Sequence, residues 1–281
     1  MDKQNLLEIY EYIPFFEELL ERGSRIIQQI RDSGTIDAQV KDTFPTGGID
    51  FATKADTEAA QLYYGTLRQT FPKWSCVIED LEEAKKVNSP VIFFVDPLDG
   101  TNLFKEGKFG YSTMLSAAVQ QEDGYYPVLG MINIIGGELL WGYNDGERIV
   151  SNISKGSPKE SRALEELVLG RTTVDRSGLL TPACNSLGSK IQFLRGVGPQ
   201  TLALVTGQTD LFVYDPPGLS FWDAYPAMPI IQAHGGEIFN WLGETPLYNG
   251  TSLKCNGFVA IAPHVSKDEV LVRIQRSKTQ P

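Results

Sequence analysis

The chain has 281 residues, 42% of them hydrophobic, enough to bury a substantial core in one large domain or two smaller ones. Lys and Arg number 25 against 35 Asp and Glu, and the formal charge of −10 argues against a nucleic-acid polymer or an anionic membrane surface as main partner. An anionic small substrate stays open, because a bound metal reverses the local field.

The opening Met1-Asp2-Lys3-Gln4-Asn5 leads into a mixed helix and is not a secretory signal. No apolar run is long enough to span a bilayer, so a cytoplasmic soluble protein is the expectation. From about Ile13 to Asp32, Phe15, Phe16, Leu19, Leu20, Ile26, Ile27 and Ile30 alternate with charge as in an amphipathic helix. Lys41 to Asp50, with Pro45, Gly47 and Gly48, reads as a loop. A second helix runs from Thr53-Lys54-Ala55-Asp56 to about Gln69, where Phe71-Pro72 ends it. Ser75 to Ile78 is a short strand with Glu79-Asp80 at its end, and Leu81 to Ser89 is charged and exposed.

Val91 to Val95 reads as a buried strand, and Asp96-Pro97-Leu98-Asp99-Gly100-Thr101 follows it. Proline biases Asp96 to an extended conformation and glycine permits the next turn. Two carboxylates held this close repel each other unless a cation lies between them. Hard divalent ions such as Mg²⁺ take such oxygen ligands, and the carboxyl end of a strand is where α/β sheets usually bind.

Tyr111 to Tyr143 reads as an antiparallel meander of three strands turning at Gln121-Glu122-Asp123-Gly124 and Gly136-Gly137. The polar stretch 151–162 is the candidate boundary, giving an α+β unit over 1–155 and an α/β unit over 156–281. In the second unit, Glu166 to Leu169, Ile191 to Leu194 and Leu211 to Tyr214 read as strands. Gln200 to Thr206 reads as a helix, and Phe221 to Ala233 as a helix interrupted at Pro226 and Pro229. The alternation predicts an α/β second half. His234 is expected at a helix end, capping carbonyls. The three cysteines, Cys76, Cys184 and Cys255, match no zinc spacing and read as reduced, mostly buried thiols.

Asp56, Glu79, the Asp96/Asp99 pair and Asp223 each end or flank an apolar element. Taken singly, Asp56 and Asp223 read as helix caps and Glu79 as an exposed strand end. Acids are rarely buried unless paired or metal-bound, so the set in this order favours a metal site.

On Asp96 to Thr101, Trp222-Asp223-Ala224, Glu79-Asp80, and Thr53 with Asp56, the chain resembles the inositol monophosphatase superfamily of Mg²⁺-dependent, lithium-sensitive phosphatases. The resemblance covers nearly the whole chain. It implies a layered αβαβα sandwich, often a homodimer. It implies metal ligation by Glu79, Asp96, Asp99, Asp223 and the Leu98 carbonyl, for two or three Mg²⁺ ions. Thr101 matches the hydroxyl that with Glu79 helps to activate the attacking water, and Asp56 an acid near the third metal position. Gly198 matches a segment that approaches substrate, with Asp215 and Ser220 as further candidates for substrate contact. Backbone N–H groups of Gly100, Thr101 and Asn102 would cradle phosphate if a helix begins there.

The physics agrees with that assignment: two metals about 4 Å apart hold a phosphate, lower the pKa of a bound water and neutralise the leaving alkoxide. Ile78-Glu79-Asp80 stands where the family usually has Gly-Glu-Glu, and Thr101-Asn102-Leu103-Phe104 matches neither the inositol nor the nucleotidase pattern. A haloacid-dehalogenase-like phosphatase would need its two Asp closer together, and EF-hand, P-loop and dinucleotide patterns all fail. The expected activity is a Mg²⁺-dependent phosphomonoesterase on a small soluble phosphate, inositol monophosphate first. A bisphosphate nucleotide, a sugar bisphosphate, or a silent binding protein of the same family are the alternatives.

Overall fold

The computed structural model describes residues 3–34, 36–43, 49–81, 89–154, 160, 163–171, 187, 190–215 and 219–278. Helices α1 (Lys3–Glu11) and α2 (Ile13–Asp32) open the chain. An antiparallel ribbon of β1 (Ala38–Thr43) and β2 (Ile49–Thr53) leads into α3 (Lys54–Thr70). Residues 41–43 and 49–50, expected as loop, are therefore strand: the glycine and proline signals of this stretch lie between two strands that pair in register Val40↔Phe51.

A six-stranded sheet follows in the order β3-β4-β5-β6-β7-β8. Its strands are Ser75–Ile78, Val91–Asp99, Ser112–Gln120, Tyr125–Ile134, Leu139–Asn144 and Ile149–Ser151. Only β3 and β4 are parallel; the remaining pairs are antiparallel, as the meander pattern implied. A short helix α4 (Thr101–Lys105) leaves the end of β4. Helix α1 is the mixed helix expected after Asn5, whereas the last strand of this sheet, three residues long, is too short to show a period in the sequence.

The second half is a five-stranded sheet in the order β10-β9-β11-β13-β12. Its strands are β9 (Val168–Arg171), β10 (Lys190–Phe193), β11 (Leu211–Tyr214), β12 (Glu237–Phe239) and β13 (Phe258–Ile261). Helices α5 (Val197–Val205), α6 (Phe221–Ala233) and α7 (Lys267–Lys278) accompany it. The boundary expected at 155/156 lies outside the described residues, as do Cys184, residues 216–218 and most of the segment expected as charged and exposed, 82–88.

Alternation along β4 explains the layering. Val91, Phe93 and Val95 join one core with α1, α2 and α3, while Ile92 and Phe94 join a second core with α5, α6, α7 and the other sheet. The result is the expected helix–sheet–helix–sheet–helix sandwich. Its central layer, α6, is buried on nearly every side, as befits a helix that is apolar all round. It is continuous through Pro226 and Pro229, contrary to the interruption expected from those residues. Each proline removes a backbone donor, but the close seat on the sheet offsets that loss. Gly130 and Gly142 pair across β6 and β7, and a Cβ on them would lie 2.1 Å from Pro226 O and 2.5 Å from Pro229 O. The helix backbone rests directly on the glycine pair.

Candidate active site

Strand β4 runs on to Asp99, beyond the end expected at Val95, and it carries a bulge. Asp96 pairs with Met114 and Asp99 with Ser112, so three steps on β4 face two on β5. Residues three apart in a regular strand point to opposite faces. The extra residue resets that alternation, so both carboxylates emerge on the face of the second core while Leu98 turns into the first. Asp96 is 2% exposed and Asp99 8%. Leu98 N–H closes onto Asp96 Oδ1 at 2.9 Å.

Helix α6 supplies the third acid. One oxygen from each of Asp96, Asp99 and Asp223 lies within 4.8 Å of the others. Asp223 is not the cap of its helix: Ser220 is, and its N–H donates to Asp223 Oδ2 at 2.9 Å. The same motif opens α3, where Thr53, not Asp56, is the cap. Thr53 N–H and Oγ1 donate to Asp56 Oδ2 at 2.7 and 2.6 Å. Both acids sit at the third helical position, where a carboxylate answers the cap's own N–H and the positive helix end. The single-residue cap readings thus shift by three positions.

Glu79 follows β3 and stays bonded to β4 through Glu79 N–H to Val95 O at 3.0 Å. Lys41, from β1, reaches it: Nζ lies 2.7 Å from Glu79 Oε1 and 2.5 Å from Asp80 Oδ1. Burial disfavours the Lys41 charge, but Glu79 and Asp80 outweigh it and hold the ammonium above its ordinary pKa. Gly100, at φ +85, lets the chain turn into α4. A helix does begin at Thr101, the condition set for a backbone cradle at Gly100, Thr101 and Asn102. The Thr101 hydroxyl lies 3.1 Å from Asp56 Oδ1 and 3.0 Å from Leu98 O.

Asp96, Asp99, Glu79 and Asp56 are displaced upward. Burial leads for Asp96, with Glu79, Asp223 and Asp99 repelling its charge. Burial also leads for Glu79, only partly offset by Lys41, and for Asp99, partly offset by the Gly198 N–H and the Ser112 hydroxyl. Asp56 is pushed up to about 6 by burial, against its bonds to Thr53 and with repulsion from Glu79. Carboxylates that repel at this range are a site for cations. An all-oxygen donor set of acids fits Mg²⁺ better than a soft metal.

Gly198 brings α5 to the same place, its N–H donating to Asp99 Oδ2 at 3.1 Å. Ser220 is 2% exposed and accepts from Lys254 Nζ at 2.7 Å. Asp215 follows β11, half-buried, beside the residues outside those described. His234 ends α6 with Nδ1 2.8 Å from Ile230 O, as its position predicted. Lys41, Ser112 and Lys254 escaped the sequence reading. Ser112, at the head of its strand between Tyr111 and Thr113, carries no local signal.

A family model described as the inositol monophosphatase family matches residues 10–280. The human 3'(2'),5'-bisphosphate nucleotidase 1 is 22% identical, with 92% of each chain covered. An inositol monophosphatase of Mesembryanthemum crystallinum is 26% identical over 70% of this chain and 76% of the relative. Among solved structures, the extragenic suppressor protein suhB of Bartonella henselae shares the fold, with a TM-score of 0.75 and 20% identity, covering 96% of this chain and 99% of that one.

Proposed function

We propose, from the premise that the chain belongs to the inositol monophosphatase family, that it hydrolyses an inositol monophosphate or a closely similar small phosphate with Mg²⁺. The family comprises phosphatases that depend on metal and act on small phosphorylated substrates. The observation that carries the reading is the acidic trio Asp96, Asp99 and Asp223, converging from two separate halves of the chain.

Asp96, Asp99, Asp223, Glu79 and the Leu98 carbonyl would hold the ions. Bound divalent ions would supply Lewis-acid stabilisation of the phosphoryl oxygens and a water acidic enough to attack at neutral pH. The remaining work falls to this chain's own groups. A Thr101 hydroxyl that gives its hydrogen to Asp56 presents its lone pairs to the water, orienting it for in-line attack. Glu79 takes the proton from that water. The N–H groups of Gly100, Thr101 and Asn102 receive the phosphate oxygens. Gly198, Asp215 and Ser220 line the substrate side. The halves 1–155 and 156–281 act as the two units that contribute to the site.

A second reading, a 3'(2'),5'-bisphosphate nucleotidase, is favoured by the similarity to the human enzyme over 92% of both chains. A fructose-bisphosphatase reading or a silent scaffold has no observation in its favour. Lithium sensitivity, a homodimer and a cytoplasmic location complete the reading on the family's account. Among the described residues, no helix is long and apolar enough to cross a membrane.

The test is phosphate release from inositol 1-phosphate, adenosine 3',5'-bisphosphate and fructose 1,6-bisphosphate, with Mg²⁺ and with EDTA. Mg²⁺-dependent release from the first supports the primary reading, and from the second the alternative. No release from any, with Mg²⁺ binding intact, favours the scaffold. Turnover unaffected by millimolar Li⁺ would count against the lithium-sensitive part of the reading.

A further inference from the structure

Ser112 opens β5 with its side chain wholly buried, directly opposite Asp99 in the sheet register. Its hydroxyl donates to Asp99 Oδ2 at 3.0 Å. The Gly198 N–H of α5 reaches the same oxygen at 3.1 Å, and the Val197 backbone bonds the same carboxylate. The arrangement is sterically closed. A Cβ on Gly198 would lie 2.3 Å from Ser112 Oγ, and one on Gly196, at φ +88, would lie 2.8 Å from Asp99 Oδ2. Oδ2 is therefore held by donors from both halves of the chain, the Ser112 and Gly198 bonds together occupying its lone pairs.

That bears on which ion the site accepts. Mg²⁺ demands compact octahedral coordination and takes one oxygen from each carboxylate. Ca²⁺ tolerates longer, irregular coordination and readily takes both. With both lone-pair sites of Oδ2 taken by the Ser112 hydroxyl and the Gly198 N–H, gripping an ion with two oxygens of Asp99 costs one of those hydrogen bonds. Outer partners that orient a ligand commonly change metal affinity by about 10- to 100-fold when removed.

We infer that Ser112 is a positioning residue that keeps Asp99 a one-oxygen ligand and so selects Mg²⁺ over Ca²⁺; this rests on the proposed metal site. Loss of the hydroxyl frees Oδ2 in part, loosens the single-oxygen geometry that Mg²⁺ needs and opens the two-oxygen grip that suits Ca²⁺. The discrimination belongs to ion binding itself and precedes any chemistry.

The experiment is calorimetric titration of Mg²⁺ and of Ca²⁺ into metal-free wild type, Ser112→Ala, Ser112→Cys and Asp99→Asn. The expected result is a ratio of Ca²⁺ to Mg²⁺ dissociation constants that falls about 10-fold in Ser112→Ala. Ser112→Cys, with its weak donor, should give an intermediate ratio. A purely structural role would raise both constants by one factor and leave the ratio unchanged, which overturns the inference. Asp99→Asn separates the two levels: if it binds Mg²⁺ as wild type does, the metal site itself is misplaced. If it loses Mg²⁺ while the serine variants keep the wild-type ratio, only the role of Ser112 fails.

Discussion

The Lys41 ammonium lies 2.7 Å from Glu79 Oε1, so one acid of the site is neutralised by a cation of the protein's own. The lysine comes from the β1–β2 ribbon, outside the sheet that carries Glu79. An ion that uses Glu79 competes with this ammonium. Replacement of Lys41 by glutamine should tighten Mg²⁺ binding by about 3- to 10-fold, as one favourable ion pair of roughly 1 kcal/mol no longer opposes it. The metal-free protein should melt lower, because Glu79 then stays half-buried beside Asp96 and Asp223 without its cation. Isothermal titration and thermal melts check both; weaker Mg²⁺ binding in the variant would show that Lys41 supports the ion instead.

Thr101 links three parts of the site through one hydroxyl: Asp56, the Leu98 carbonyl and, in the proposed reaction, the attacking water. Thr101→Ala should lower kcat by about 10²-fold or more with KM little changed, the range for a group assisting proton transfer. Steady-state phosphate release measures it. A change confined to KM would move Thr101 from the chemistry to substrate binding.

The pH dependence of metal-free stability has a definite sign. Asp56 titrates near 6 in the folded chain, where burial raises it most, against about 4 for an unfolded aspartate. An acid whose folded pKa is the higher one binds protons more readily when folded. Stability therefore falls as pH climbs through the window from about 4 to 6, by on the order of 3 kcal/mol for this group. Asp96, Asp99 and Glu79 are displaced in the same direction. In EDTA the melting temperature should be higher at pH 5.5 than at pH 7.5. Added Mg²⁺ should stabilise more at pH 7.5, because it replaces protons on the same carboxylates. A metal-free protein that melts higher at pH 7.5 would contradict this account of the acidic cluster.

The seat of α6 makes a purely structural prediction. Gly142→Ala would set a Cβ 2.5 Å from Pro229 O, and Gly130→Ala one at 2.1 Å from Pro226 O. Both atoms belong to the helix backbone, so relief requires α6 to shift away from β6 and β7. Each variant should lose about 1–3 kcal/mol, read as a lower urea midpoint with the slope retained. Because α6 also carries Asp223, weaker Mg²⁺ binding should accompany the loss. Wild-type stability in either variant would mean the helix is not held by that contact.

What the sequence carried openly was local chemistry. Pro97 and Gly100 mark a turn, the apolar run before them marks a strand, and two acids in that turn point to a cation. Asp56 and Asp223 stand out because each flanks an apolar element. The elements hidden from the sequence depend on register. Nothing local reveals that a bulge brings Asp96 and Asp99 to one face, or that Gly130 and Gly142 are partners under a helix. Pro226 and Pro229 read as breaks because the sheets that clamp α6 are remote in the chain. Lys41 sits in a stretch with no motif, and only the pairing of β1 with β2 brings it to Glu79. Ser112 stands in no motif, and its partner, Asp99, follows only from the pairing of β4 with β5.

The central claim is that the carboxylates of the β4 bulge bind the metal on which phosphate release depends. The most direct measurement is phosphate release from inositol 1-phosphate by wild type and Asp99→Asn, each with Mg²⁺ and with EDTA, beside a Mg²⁺ titration of both proteins. The account predicts Mg²⁺-dependent release by wild type, and loss of both release and tight Mg²⁺ binding in Asp99→Asn. Near-normal Mg²⁺-dependent release by Asp99→Asn would contradict it.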